Sequence, residues 1–166
     1  MTDVFINPTD CPYYLITRAS LAITSAMKLG FADAGLGDVK PAYLGVFMCL
    51  WMEDCMGDTL GKVGKEEGMR LVDLGRCAGL EPSSMTGLID RMEKDGLLYR
   101  TDDPTDRRAH IIRLTDRGHD LRKNVIDIVG KTISKAFWNI PADRMQAAKD
   151  VLRTVLVNAS KGSLEP

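Results

Sequence analysis

Between residues 11 and 34 apolar side chains return every three or four positions, at Leu15, Ala19, Ala22, Ala26 and Leu29. That spacing predicts a helix whose seam is lined mostly by small side chains and suits close packing against another helix. A second run, over about 41–54, holds Tyr43, Leu44, Phe47, Met48, Trp51 and Met52 and predicts a helix opening on Pro41. Residues 70–78 repeat the helical period with Leu71, Leu74 and Ala78, and Gly79 supplies a stop. A few residues later Glu81-Pro82-Ser83-Ser84 opens another helix, in which Met85, Leu88, Ile89 and Met92 form one stripe and Gly96 ends it. Two helices joined so tightly have the form of a helix-turn-helix.

The period then changes. Leu97-Leu98-Tyr99 and Ile111-Ile112, with Leu114 beyond Arg113, have the content of paired strands, and Asp103-Pro104-Thr105-Asp106 between them is turn-forming. The resulting hairpin carries Arg107 and Arg108 at its tip, a shape suited to a phosphate-lined groove. A solvated ion-pair cluster of Asp106, Arg107 and Arg108 would contribute only about 0–1 kcal/mol and would not need a hairpin to carry it. On the preceding helix Ser83, Ser84, Thr86 and Arg91 are the groove-facing candidates, because hydroxyls near a helix N-terminus meet phosphates and base edges and an arginine binds phosphate or guanine. Capping by the serines and an ion pair between Arg91 and Asp95 are their alternative uses. Beyond the hairpin Thr115 is placed to cap a long helix running from Asp116 toward Trp138. Pro141 opens a last helix to about Ala159, with Met145, Ala148, Leu152, Val155 and Leu156 facing inward. The expected fold is mainly α: one domain over 1–166, with a winged helix-turn-helix and a two-stranded β wing at 69–115. Helices from both chain ends, 11–55 and 116–160, form a dimerisation frame.

From Leu74 to Gly118 the chain resembles the MarR family of bacterial transcription regulators. The likeness is carried by Leu74-Gly75-Arg76-Cys77-Ala78-Gly79-Leu80, by Pro82-Ser83-Ser84-Met85-Thr86-Gly87-Leu88-Ile89-Asp90-Arg91-Met92-Glu93-Lys94-Asp95-Gly96-Leu97, and by Asp103-Pro104-Thr105-Asp106-Arg107-Arg108-Ala109 followed by Leu114-Thr115-Asp116-Arg117-Gly118. The resemblance implies an intertwined homodimer on a pseudo-palindromic double-stranded DNA operator, with recognition helices in successive major grooves and wing arginines in the flanking minor grooves. It makes Arg108 the arginine that enters the minor groove and Asp106 the carboxylate that orients it. Gly87 departs from the pattern, which more often has a longer polar side chain there, and a mid-helix glycine costs about 1 kcal/mol against alanine.

Composition narrows the class without selecting a function. The 166 residues, 45% hydrophobic, can bury a core. No basic segment followed by an apolar run opens the chain, and no apolar stretch approaches a membrane span, so a cytoplasmic protein without a membrane partner is expected. The formal net charge is −1, and residues 70–119 hold nine Arg or Lys against nine Asp or Glu. DNA binding therefore requires the charges to segregate, with arginines on one face. Residues 56–69, with Gly57, Gly61, Gly64 and Gly68 among Lys62, Lys65, Glu66 and Glu67, read as an exposed loop.

Two inputs are open to such a regulator. One is a pocket for a small aromatic or amphipathic effector, walled by Tyr13, Tyr14, Tyr43, Phe47 and Trp51 with Arg18 as counter-charge. The other is oxidation of Cys11, since the peroxide-sensing OhrR branch of the family uses a first-helix cysteine with tyrosines nearby, and Tyr43 falls at a matching position. Cys11 lies about one helical turn early for that branch. Cys49, Cys55 and Cys77 read as small buried hydrophobes. Neither their spacing nor His110 and His119 makes a zinc pattern, and no phosphate loop or nucleophile elbow is present, so neither a metal, a cofactor nor an enzymatic activity is expected. A winged-helix protein-docking module is the alternative from another class.

Overall fold

The computed structural model describes residues 8–51, 68–106 and 108–160. The long helix α1 (Pro12–Asp33) is followed by a 3₁₀ turn (Pro41–Tyr43) running directly into α2 (Leu44–Trp51). Then come β1 (Met69–Arg70), α3 (Leu71–Ala78), α4 (Pro82–Lys94), β2 (Leu98–Asp102), β3 (His110–Leu114), α5 (Asp116–Ala136) and α6 (Ala142–Ser160). The expected end of α2 at 52–54 and the glycine-rich stretch with Lys62 and Lys65 lie outside the described residues.

The helix boundaries follow local chemistry. Pro12 and Pro82 stand in first turns, where their missing N–H costs nothing. Gly79 (φ 65°) ends α3 in the left-handed region that a side chain would disfavour. Thr115 begins α5 by accepting the Gly118 N–H at 3.1 Å, while its own hydroxyl donates to the Gly96 carbonyl at 2.8 Å.

The sheet has three strands, in the order β1-β3-β2 and antiparallel throughout. β2 and β3 are the two-stranded wing expected from the sequence, in register Leu98 to Leu114 and Arg100 to Ile112. The added strand is two residues long, Met69 opposite Ile112 and Arg70 opposite Ile111. No alternation can show in so short a segment, and only the exposed edge of β3 creates it.

The chain divides into two compact units, residues 1–132 and 133–166. In the first, one core joins Phe31, Tyr43, Val46, Phe47, Leu74, Met85, Ile89, Met92, Leu97, Leu98 and Ile112, all fully buried. α2 is built into this core: it packs on α3 with Gly45 facing Ala78, where a Cβ would stand 3.4 Å from the Ala78 Cβ, an ordinary contact. A helix that its apolar content alone groups with the dimerisation frame thus shares its buried face with the helix-turn-helix. In the second unit α6 leaves Val151, Leu152, Val155, Leu156 and Val157 exposed, Leu156 by 69%. The inward face expected for α6 is therefore in water in the single chain, and so is the α1 seam, where Leu29 is 66% exposed.

Among the described glycines, Gly118 leaves the least room for a side chain. Its carbonyl accepts the Trp51 Nε1–H at 3.1 Å, and a Cβ would fall 2.2 Å from the Leu97 carbonyl oxygen. Gly87, in contrast, has nothing within 4 Å of its Cβ position. We expect Gly118→Ala to destabilise the fold by about 2–3 kcal/mol through backbone displacement, and Gly87→Ala to stabilise it by about 1 kcal/mol. Chemical denaturation of both variants checks the pair, and equal shifts would contradict the assigned packing.

Candidate nucleic-acid interface

The wing is shaped by one buried carboxylate. Asp103 Oδ1 accepts the Thr105 hydroxyl at 2.7 Å, the Thr105 N–H at 2.8 Å and the Asp106 N–H at 3.2 Å, while Oδ2 accepts the Arg70 Nε–H at 2.6 Å. Arg70 also reaches the Thr105 hydroxyl from Nη2 at 2.8 Å. These donors, the Thr105 hydroxyl foremost and then the Arg70 guanidinium, hold the Asp103 carboxyl well below the usual carboxylate range. β1 and the wing turn are thereby one unit, although they are far apart in sequence. Arg70 has no marker in the sequence beyond its position at the start of a helix, and Asp103 reads there only as a turn former.

Arg108 lies exposed in the turn that follows. Asp106 positions it through the backbone: its carboxylate accepts the Arg108 N–H at 3.0 Å, and its carbonyl accepts the Ala109 N–H at 2.9 Å. Among the described residues the Arg108 side chain has no ion-pair partner. Arg107 lies outside them.

On α4 the apolar stripe Met85, Leu88, Ile89 and Met92 is buried, and Ser83, Ser84, Thr86 and Arg91 are exposed. Ser84, Gly87 and Arg91 share one outward line at helical spacing. The N-cap position is Glu81, with no side-chain cap, so neither serine is used as the N-cap. Thr86 turns its hydroxyl back to the Pro82 carbonyl at 3.0 Å. Arg91 makes no ion pair with Asp95, which is engaged elsewhere. Arg100 crosses from β2 to α4, pairing with Asp90 at 2.5 Å and with Glu93.

Asp95, at the C-terminal end of α4, is the hub of a second polar cluster. It accepts the Tyr43 hydroxyl at 2.6 Å and Lys40 Nζ at 3.3 Å, and Lys40 also reaches the Tyr43 oxygen at 2.9 Å. From α5, Arg117 donates to the Asp95 carbonyl at 2.6 Å and pairs with Asp38. The Tyr43 hydroxyl bond, followed by Lys40, lowers the Asp95 carboxyl below its ordinary value, and burial together with Asp95 raises the Tyr43 phenol. The last turn of α4 is thus tied both to the segment before α2 and to the start of α5.

The six residues expected to wall a ligand pocket fall into two groups. Tyr43, Phe47 and Trp51 are core struts, with Phe47 and Trp51 stacked at 4.3 Å. Tyr13 (78% exposed), Tyr14 and Arg18 stand on the open surface of α1. The sequence could not separate them, because aromatic content marks burial and binding alike.

The cysteines require a correction. Cys49 and Cys77 are not free buried hydrophobes but a disulfide pair joining α2 to α3, with Cα atoms 6.3 Å apart. The packing of α2 on α3 brings them together, and a separation of 28 residues gives no sequence signal of it. Cys11 is free and half-buried at the N-cap of α1, without a cap bond.

Between α3 and the wing an open cleft of about 500 Å³ is walled by Arg70, Arg76, Arg100 and Arg108, with Asp73 and Asp106 among them. Three of these arginines are ion-paired, Arg70 with Asp103, Arg76 with Asp73, and Arg100 with Asp90 and Glu93, while Arg108 stands at the rim with no ion-pair partner among the described residues.

Comparison with known proteins agrees with this geometry. A model of the MarR family matches residues 58–110. The HTH-type transcriptional regulator YfiV of Bacillus subtilis is 26% identical over 132 residues, covering 78% of this chain and 79% of that protein. The structure of CouR from Rhodococcus jostii RHA1 bound to p-coumaroyl-CoA aligns with a TM-score of 0.67 at 25% identity, covering 90% of this chain and 94% of that one. Sco3205, a MarR family regulator of Streptomyces coelicolor solved in complex with DNA, aligns with a TM-score of 0.71 at 17% identity over 93% of this chain and 86% of its own, a likeness of fold. A three-stranded sheet beside a helix-turn-helix, with Asp106 and Arg108 at the tip of its hairpin, is a winged helix-turn-helix of the transcription-regulator class. The match to the MarR family lies in residues 58–110, and over the rest of the chain the likeness to regulators of that family is one of fold.

The Asp103 cluster has a pH signature. A carboxyl held below its unfolded value contributes stability that is full above about pH 4 and is lost as pH falls toward the folded value. We expect Asp103→Asn to flatten the acid limb of the stability–pH curve, measured by thermal unfolding between about pH 3 and pH 7. A variant curve parallel to the wild type would remove Asp103 from that role.

Proposed function

We propose that the protein is a homodimeric transcription repressor that binds a pseudo-palindromic operator and is released by a small aromatic or amphipathic ligand. The observation that carries the reading is the shared mounting of two exposed elements on one core. Among the described residues the Ser84–Gly87–Arg91 line of α4 makes no ion pair, and Arg108 is presented by a turn that Asp103 and Asp106 hold through hydrogen bonds. In this reading α4 enters the major groove, Ser83, Ser84, Thr86 and Arg91 meet bases and phosphates, and Arg107 and Arg108 enter the minor groove. The DNA complex of Sco3205 supports the partner class.

A second copy of the chain is the partner that the apolar faces of α1 and α6 call for. Both faces expose large apolar side chains on the single chain, the kind of surface that a protein partner covers. The ligand class is supported by CouR, whose structure holds p-coumaroyl-CoA. A peroxide-sensing Cys11 has less support, since the hydroxyl of Tyr43 is committed to Asp95 and Lys40.

Selection of bound genomic fragments followed by gel shift at low and moderate salt tests the reading. Arg108→Ala should weaken binding and reduce the salt slope by about 1 while preserving sequence preference, whereas Ser84→Ala and Arg91→Ala should change preference within the half-sites. Unchanged affinity in Arg108→Ala would refute the wing assignment, and failure to bind any fragment would favour a protein-docking module. Sedimentation should give a dimer at micromolar concentration, and a stable monomer would remove the frame.

A further inference from the structure

We propose that Cys49 and Cys77 form a reversible thiol–disulfide exchange site, whose substrate is a low-molecular-weight disulfide of the glutathione class and whose closure clamps α2 to α3. The proposal rests on the DNA-binding reading in one respect: a protein that meets the chromosome works where thiols are kept reduced, and a disulfide formed there is transient rather than a permanent staple. The geometry supplies the rest. The two Cα atoms are 6.3 Å apart, within the span a disulfide bridges without moving the backbone.

The two sulfurs differ in access. Cys49 is 5% exposed in the middle of α2, whereas Cys77 is half-buried in the last turn of α3. Cys77 is therefore the entering thiol and Cys49 the resolving one. In the first step the Cys77 thiolate attacks one sulfur of the small disulfide, breaking its S–S bond, forming a mixed disulfide and releasing one thiol. In the second the Cys49 thiolate attacks the Cys77 sulfur, forming the Cys49–Cys77 bond and expelling the second thiol. Two protein thiols are oxidised and one small disulfide is reduced to two thiols, their protons passing to the leaving groups.

Closure acts at a sensitive position. α2 is already fixed beyond Cys49 by the Trp51 bond to Gly118 of α5, and the segment before it is fixed by the Tyr43 bond to Asp95. Cys77 stands two residues before Gly79, where the chain turns into the recognition helix. The bond therefore ties the origin of α4 to elements already anchored on α5, and a turn ordered in advance lowers the cost of ordering it on DNA.

The test uses the full chain equilibrated with mixtures of reduced and oxidised glutathione, then alkylated, digested and mapped by mass. The linked peptide containing Cys49 and Cys77 should rise and fall reversibly with the glutathione ratio. Oxidation should raise the unfolding midpoint by about 5–10 °C and tighten binding to a selected genomic fragment several-fold. Cys77→Ser and Cys77→Ala should abolish both shifts, and Cys11→Ser should retain them. Absence of the linked peptide, a link that glutathione does not reopen, shifts that persist in both Cys77 variants, or equal DNA affinity in the two forms would overturn the proposal. If neither form binds DNA while the link titrates and the midpoint shifts, the regulator reading fails and the exchange site stands.

Discussion

The rest of the molecule depends on the burial of one stripe of α4. Met85, Leu88, Ile89 and Met92 are all out of water, against a core supplied by α2, α3 and the sheet. With that side committed, helical geometry leaves Ser84, Gly87 and Arg91 nowhere but on the opposite face. The outward line is thus a consequence of packing, and its chemistry can vary without cost to the core.

Polar contacts then fix what apolar packing leaves adjustable. A hydrophobic stripe is non-directional and tolerates small rotations or slides. The Asp95 cluster removes that freedom at the end of α4, because Tyr43, Lys40 and Arg117 approach it from two other elements. The Asp103 cluster does the same for the wing by joining β1 to its turn through Arg70. Charges that cancel in number are thereby divided in use. Asp95 and Asp103 are consumed inside the lobe, and Arg91 and Arg108 are exposed without an ion-pair partner among the described residues.

The apolar surfaces of α1 and α6 are the counterpart of this economy. A chain that buries its large side chains in one compact lobe leaves Leu29, Val151 and Leu156 in water, and covering such apolar side chains is favourable. The Cys49–Cys77 link belongs to the lobe side of this division, where α2, α3 and the first turn of α5 already meet.

The sequence by itself determined the elements whose cause is local. Helical period gave α1, α3, α4 and α5 nearly to their ends, and Gly79, Thr115 and the prolines marked where they stop or start. Strand content and the Asp-Pro-Thr-Asp turn placed the hairpin, and with it Arg108. Tertiary structure alone decided the rest. β1 exists because β3 has a free edge, and α2 joins the lobe because Val46, Phe47, Cys49 and Trp51 are buried in its core. Tyr43, Phe47 and Trp51 became struts while Tyr13 and Tyr14 stayed exposed, and Arg70 found Asp103 across the sheet. Cys49 found Cys77 across two helices. In each of these cases the partner lies far along the chain, and no periodicity or turn signal reports a contact made only when separate elements pack together.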